Sequence, residues 1–352
     1  MALRPSITYD VKGDTRQLEQ KVNSVARKTN PLVLKLDANK FALGRITGKV
    51  TEFNKSLEAS NARVIAFGAS AGLITGVTKA FSDLIDAMIT VEKKLKDINV
   101  ILNASSTGIV KFGNSLFDVA RLTGKGFEEV ADSAAEFARQ GLGVEETLKR
   151  TRDALILSRL AIIGSVEATN SLTAAVNTFR HEALDSTTII NKLAEVDAKF
   201  AVSSADLANA IQRAGATAIG AKVSFDELLA IVTAVQQQTA RGGNIIGNAL
   251  KTIFTRIQRT SVLNQLEELG VAVRDMEGNF RPALQILKEV AQGFDSLTDS
   301  QRAHTTELLG GVRQVDILRA GLRDLGQEYS IYNEALSTSV NAMMKLLNET
   351  KS

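Results

Sequence analysis

Cysteine is absent from this chain. Its absence excludes disulfide bridges, thiolate nucleophiles and thiolate metal sites. Histidine is nearly absent too, with only His181 and His304, 123 positions apart. His181-Glu182 resembles the front of a zinc-binding helix motif, which places a second histidine four residues on. Position 185 is Asp185, so that motif is incomplete. No Ser, His and Asp arrangement can be argued from local spacing. The glycines of "GGNIIG" (242–247) lack the Lys-Ser/Thr that completes a phosphate loop. These absences argue against an enzyme, and no catalytic, cofactor-binding or metal-ligating residue is assigned.

Proline is almost as scarce. Pro5, Pro31 and Pro282 are the only three, which leaves residues 32–281, 250 positions, without one. Proline breaks helices, and Ala, Leu, Glu, Lys, Arg and Gln favour them, so a long succession of helices is expected. Tryptophan is missing and aromatic residues make up 5% of the chain, so its core must be built from Ala, Leu, Ile and Val. Hydrophobic content of 44% against 23% charged residues is enough for such a core and speaks against global disorder. The N-terminus "MALRPSITYDVKG" lacks the basic-then-apolar pattern of an export signal. Net charge is small, +3, but uneven: residues 1–63 carry 12 Lys/Arg against 6 Asp/Glu. A basic head of this kind suits an acidic lumen or nucleic acid, or is an ordinary solvated surface.

Long apolar runs are also few. The longest candidate, "VIAFGASAGLITGVTKAF" (64–81), is uncharged only from Val64 to Thr78, 15 residues. As a helix this spans roughly 22 Å, short of the ~30 Å bilayer core. Its glycines Gly68, Gly72 and Gly76 recur every four residues and share one helix face. Such spacing lets helices approach closely, in membranes or in protein cores. Two readings stay open: a buried helix packed tightly on a neighbour, or a segment that enters a membrane after a conformational change.

Along the chain, "SITYDVKGDTRQLEQKVNSVAR" reads as strand, turn and helix, and "LVLKLDANKFALGRITGKV" repeats that logic. Residues 1–60 are therefore expected to form a small strand-helix unit. Residues 61–95 hold the glycine-rich stretch and an amphipathic connector in which Phe81, Leu84, Ile85, Met88 and Val91 recur at three and four residues. Residues 96–352 read as helix, short break, helix. Capping boxes are expected at Ser203–Asp206, Ser224–Glu227 and Thr298–Gln301. The glycines at 141–143 and 242–247 mark breaks. The helix after the second break has an apolar stripe (Ile246, Leu250, Ile253, Ile257) and basic residues Lys251, Arg256 and Arg259. Val271 and Val273 alternate up to Asp275-Met276-Glu277-Gly278, followed by Phe280 and Pro282, which predicts a short β-hairpin near 270–281 and then a helix. The expected fold is mainly α: Ala-rich helical hairpins or a bundle, a small α/β N-terminal unit and that one hairpin.

The order of these pieces resembles the core of the phage tail tape-measure, or phage-related minor tail, proteins. The resemblance runs over about residues 85–325. It includes "FEEVADSAAEFARQGLGVEETLKRTRDALILSRL", "RAGATAIGA" ahead of a capped helix, "RGGNIIGNALKTIF" and "GVAVRDMEGNFRPALQILKEVA". It implies a structural, non-enzymatic virion component in the lumen of the tail tube, made in the host cytoplasm, that sets tail length and leaves ahead of the DNA. The implied partners are the tail tube protein, tail assembly chaperones, baseplate or tail-tip proteins, further copies as trimer or hexamer, and the host membrane on ejection. Family members are often much longer, so a fragment without its ruler portion or a short member is implied. A rival from another class, a membrane-active helical toxin or secretion-system translocator, would share the apolar glycine stretch and Ala-rich helices but not the 270–294 hairpin-and-proline element.

Overall fold

The computed structural model describes residues 71–349, and its side chains from 86 to 342. The expected strand-helix unit at 1–60 lies outside the described residues. Within them the protein is mainly α, with fourteen helices. These are α1 (Ala71–Leu102), α2 (Ser106–Thr123), α3 (Phe127–Arg139), α4 (Val144–Ala161), α5 (Ser165–Thr178), α6 (Ser186–Lys199) and α7 (Ser204–Gly220). They continue with α8 (Phe225–Thr239), α9 (Gly243–Ile257), α10 (Thr260–Glu268), α11 (Ala283–Gly293), α12 (Asp299–Gly310), α13 (Val315–Leu325) and α14 (Ile331–Glu349). α1 runs unbroken through the 95/96 boundary drawn from sequence.

Local chemistry sets several helix starts. Ser105, Asp185, Ser203, Ser224 and Thr298 each accept a hydrogen bond from a first-turn backbone N–H, which satisfies a donor the helix itself cannot. Two of the three expected capping boxes close, at Ser224 with Glu227 and at Thr298 with Gln301. At Ser203 the box stays half made. The Asp206 carboxylate does not reach back to the Ser203 backbone; it takes the Ser203 hydroxyl and the amide of Gly243 on another helix.

The expected β-hairpin near 270–281 is corrected to less than a hairpin. Among the described residues no strand forms, and this segment makes one antiparallel bridge, Arg274 with Phe280. Two backbone hydrogen bonds hold it, Asp275 N to Asn279 O and Arg281 N to Val273 O. The next amide of the ladder belongs to Ala283 and bonds Ala221 O instead, so the pairing ends there, and Pro282 precedes α11.

Packing centres on α8, where Phe225 and the unbroken run Leu228–Val235 are all buried. A helix apolar around its whole circumference must be enclosed on every side. Here α7, α9, α13 and α14 surround it. α7 presents an Ala-rich face: Ala208, Ala210, Ala214 and Ala218 are all buried. A second, smaller core joins Ile98 of α1, Phe112 and Leu116 of α2, Val130 and Ala134 of α3 and Leu155 of α4.

Candidate functional site: a glycine clasp in the helical core

α7 and α9 are the most intimately packed pair in the core, and two glycines make that possible. A Cβ on Gly243 would lie 1.9 Å from the backbone carbonyl oxygen of Asp206. One on Gly247 would lie 2.8 Å from both the Ala210 Cα and the Arg213 Cβ. Residues four apart share a helix face, so Gly243 and Gly247 together let the α9 backbone rest directly on α7. The small side chains of Ala210 and Ala214 occupy the α7 side of this region and are buried. The contact is also polar. Asp206 Oδ1 accepts the Gly243 amide at 2.7 Å, and Arg213 Nε donates to Asn244 Oδ1 at 3.2 Å. Gly242, with φ of 80°, turns the chain into α9 and donates its amide to Gln236 Oε1 at 2.9 Å.

The other end of α7 holds the bridge segment. Ala221 O accepts the Ala283 amide at 2.9 Å, and Lys222 Nζ donates to Phe280 O at 2.6 Å. Arg281 pairs with Glu289 at 3.0 Å, closing the segment onto α11. A further flank of α7 meets α5, where Gly215 faces Thr178 and Phe179. Segments that looked separate in sequence, 214–221, 241–254 and 270–291, thus converge on one helix.

The model of the family described as phage-related minor tail protein matches residues 113–311. The chain belongs to the phage-related minor tail protein family. It is a phage tail component, and the clasp lies wholly inside the matched region. A tape measure protein of Pneumococcus phage Dp-1 is 21% identical over 283 residues, covering 79% of this chain and 24% of that protein. A probable tape measure protein of Escherichia phage P2 is 30% identical over 109 residues, covering 30% of this chain and 13% of that protein. The chain therefore spans about a quarter or less of the length of these relatives. No solved structure matches it.

In this tail protein the buried and half-buried charged groups serve helix ends and helix junctions. Asp324 accepts the amides of Ile331 and Tyr332 at 3.0 and 2.9 Å and so caps α14. Asp197 takes the Ser204 amide at 2.8 Å, and Asp153 takes the hydroxyls of Ser186 and Thr187 at 2.6 and 2.8 Å. Glu182 accepts the Phe225 amide at 2.9 Å; burial pushes its carboxyl above the usual range despite that bond. Burial opposes ionisation of Asp185 as well, but hydrogen bonds from Lys149 and Thr188 more than offset it and hold the carboxyl below its ordinary value. Lys192, 2% exposed, joins three helices: its ammonium donates from α6 to Asp226 of α8 at 2.7 Å and to the Ser339 carbonyl of α14 at 2.8 Å. Among the described residues no three His, Asp or Glu come together as a metal site. The apolar space between α8, α9, α11 and α13 is about 10 Å³, at the lower limit for one water.

The sequence offers Lys251, Arg256 and Arg259 as the basic residues of an amphipathic helix whose apolar stripe is buried. Arg256 caps the C-terminal end of α12, donating to Leu308 O at 2.9 Å and Glu307 O at 3.1 Å, while Lys251 and Arg259 stay exposed. His181 is exposed and His304 bonds Gln265 at 3.0 Å, 39 residues away, so the two histidines serve separate local contacts. Of the three glycines singled out, Gly68 lies outside the described residues, and Gly72 and Gly76 sit in the first turns of α1. Among the described residues no helix is long and apolar enough to cross a membrane. The glycines at 242–247 carried the missed signal: their four-residue spacing matched that of Gly68, Gly72 and Gly76, but they were read only as a break.

Proposed function

We propose that this chain is a tail tape-measure protein or the folded core of one. In this reading it occupies the lumen of the tail tube, sets tail length during assembly in the host cytoplasm, and leaves ahead of the DNA at infection. The observation that carries it is the family match over residues 113–311, joined by two relatives named as tape measure and probable tape measure proteins. The architecture supports it. The charged groups of the core cap helix ends or bridge helices, and the small residues between α7 and α9 let those two helices rest backbone on backbone. Partners in this reading are the tail tube protein, assembly chaperones, baseplate or tail-tip proteins and further copies of the chain. The host membrane joins them on ejection, through Gly68, Gly72 and Gly76.

A nonsense mutation in the gene, followed by electron microscopy of the particles, tests the assignment. The proposal expects tails that are missing or of scattered length. Tails of normal, uniform length would overturn it. Liposome flotation of a peptide covering residues 60–95, with Gly72→Leu beside it, tests the membrane step; a native peptide that stays in solution removes that step alone.

A further inference from the structure

α7 and α9 lie side by side and parallel: Gly243 meets Asp206, Gly247 meets Ala210, and at the far ends Gly220 meets Gln258. At ~1.5 Å per residue, the shared length from Asp206 to Gly220 is about 21 Å. One flank of this pair faces solvent. On α9 and just past it, Asn244, Asn248, Lys251, Thr255 and Arg259 follow at spacings of three and four, and all five are exposed. The Asn244 side chain bonds Arg213 of α7 at 3.2 Å, so the stripe borders α7, and Arg213 is exposed as well. What the flank lacks is a free carboxylate. α9 has no Asp or Glu, and Asp206, the one acid of α7, is spent on the Ser203 hydroxyl and the Gly243 amide. The acid-free run extends over residues 228–266, 39 positions, in a chain that carries 39 acids. Among the described residues Lys251 and Arg259 form no ion pair, and the Arg213 side chain bonds only the neutral amide of Asn244. Lys222, at the end of the flank, is left out of the count because Phe280 O holds its ammonium at 2.6 Å.

We propose that this flank binds the phosphate backbone of double-stranded DNA without reading its sequence. Charge decides the partner. A protein surface carries both signs, and a face that docks on one keeps acids of its own to meet the partner's lysines and arginines. This flank keeps three cations and no free acid, which suits a partner that is negative throughout. Duplex DNA carries one charge per ~1.7 Å of its axis, so the length shared by the two helices runs past roughly twelve phosphates. Phosphate oxygens are contacted mainly by Arg, Lys and small polar side chains, the types that line the flank. Base edges are read by an element that enters a groove, and both helices here are fixed in the core by their other faces. This inference goes beyond the tail-length reading. It is tested on the purified chain, so its failure would leave the length-setting proposal standing.

Fluorescence anisotropy of a labelled mixed-sequence duplex, titrated with the full chain from low to physiological salt, is the test. The basic residues 1–63 add to the wild-type salt dependence, so the difference between variants and wild type is what counts the flank. Each cation that meets a phosphate adds ~0.9 to the slope of log affinity against log salt. The triple variant Arg213→Gln, Lys251→Gln, Arg259→Gln is therefore expected to be less steep by about 2.7, and Lys251→Gln alone by about 0.9. Thermal melts should match the wild type. Should Arg213→Gln lower the melt, Lys251→Gln with Arg259→Gln gives the same comparison, with an expected difference of about 1.8. Arg319→Gln with Arg323→Gln, two exposed cations of α13, is the control and should keep the wild-type slope. A wild type that fails to bind at low salt would overturn the proposal. So would a triple variant with the wild-type slope, or a control pair that flattens the slope per cation as much. Polyglutamate that competes as well as DNA at equal charge would also overturn it, by assigning the flank to acidic protein surfaces instead.

Discussion

Replacing Gly243 by alanine would place a methyl carbon 1.9 Å from the Asp206 carbonyl oxygen, where ordinary contact begins at 3.4 Å. The helices must part by about 1.5 Å, the difference between those two distances, because the obstacle is backbone and cannot rotate away. A gap of ~0.5–1 Å already forfeits a quarter to a half of a dispersion well, and α7 meets α9 along much of its length. Overpacking of this kind costs about 1–3 kcal/mol, and stretching the Asp206–Gly243 cap adds about 1 kcal/mol. The expected loss is ~3 kcal/mol, or a fall in Tm of roughly 6–12 °C at ~2–4 °C per kcal/mol for a domain of this size. Gly247→Ala, with 2.8 Å contacts, requires a smaller shift and is expected to cost less. Gly293→Ala supplies the opposite sign: Gly293 has helical φ of −85° and nothing within 4 Å of its built Cβ. There alanine should stabilise by about 0.5–1 kcal/mol, its usual advantage over glycine in a helix. Circular-dichroism melts of the three variants decide the matter. If Gly243→Ala melts at or above the wild type, the close-approach argument is wrong.

Other parts of the core yield their own tests. Lys192→Met strands the Asp226 carboxylate and should destabilise by roughly 3–5 kcal/mol, while adding Asp226→Leu should recover most of that loss in chemical denaturation. Glu182→Gln keeps an acceptor for the Phe225 amide and removes a carboxyl whose folded pKa is raised by burial. The burden of ionising Glu182 is full above its folded pKa and vanishes below its ordinary value of 4.5, so the variant should be the more stable at neutral pH and lose that gain as pH falls towards 4.5. Denaturant midpoints across that pH range check the sign. Ile162 ends α4 in the left-handed region, φ 55°, with its side chain 92% exposed. Ile162→Gly relieves about 1 kcal/mol of backbone strain, and a higher Tm is the expected outcome.

Much of the helical order could be read from the chain, because its signals are local. Ser224 with Glu227 and Thr298 with Gln301 lie three residues apart, and the hydroxyl and its answering side chain need nothing else. What escaped were roles completed by distant partners. Gly243 looks like a break until Asp206, 37 residues away, is set against it. Lys192 reads as one more surface charge until Ser339, 147 residues on, supplies its carbonyl. Arg256 reads only as a basic residue of an amphipathic helix, because nothing nearby in sequence reveals the open carbonyls of α12. The hairpin failed for a related reason: alternation at Val271 and Val273 shows which side chains turn inward, but not whether enough backbone partners exist to make strands.

The proposed length-setting role ties tail length to helix length. Duplicating residues 75–102 in the phage would lengthen α1 by the duplicated segment. Tail lengths measured by negative-stain microscopy should then shift upward by about 42 Å, at ~1.5 Å per added helical residue. Virions that carry the longer chain and yet keep the parental tail length would contradict the account.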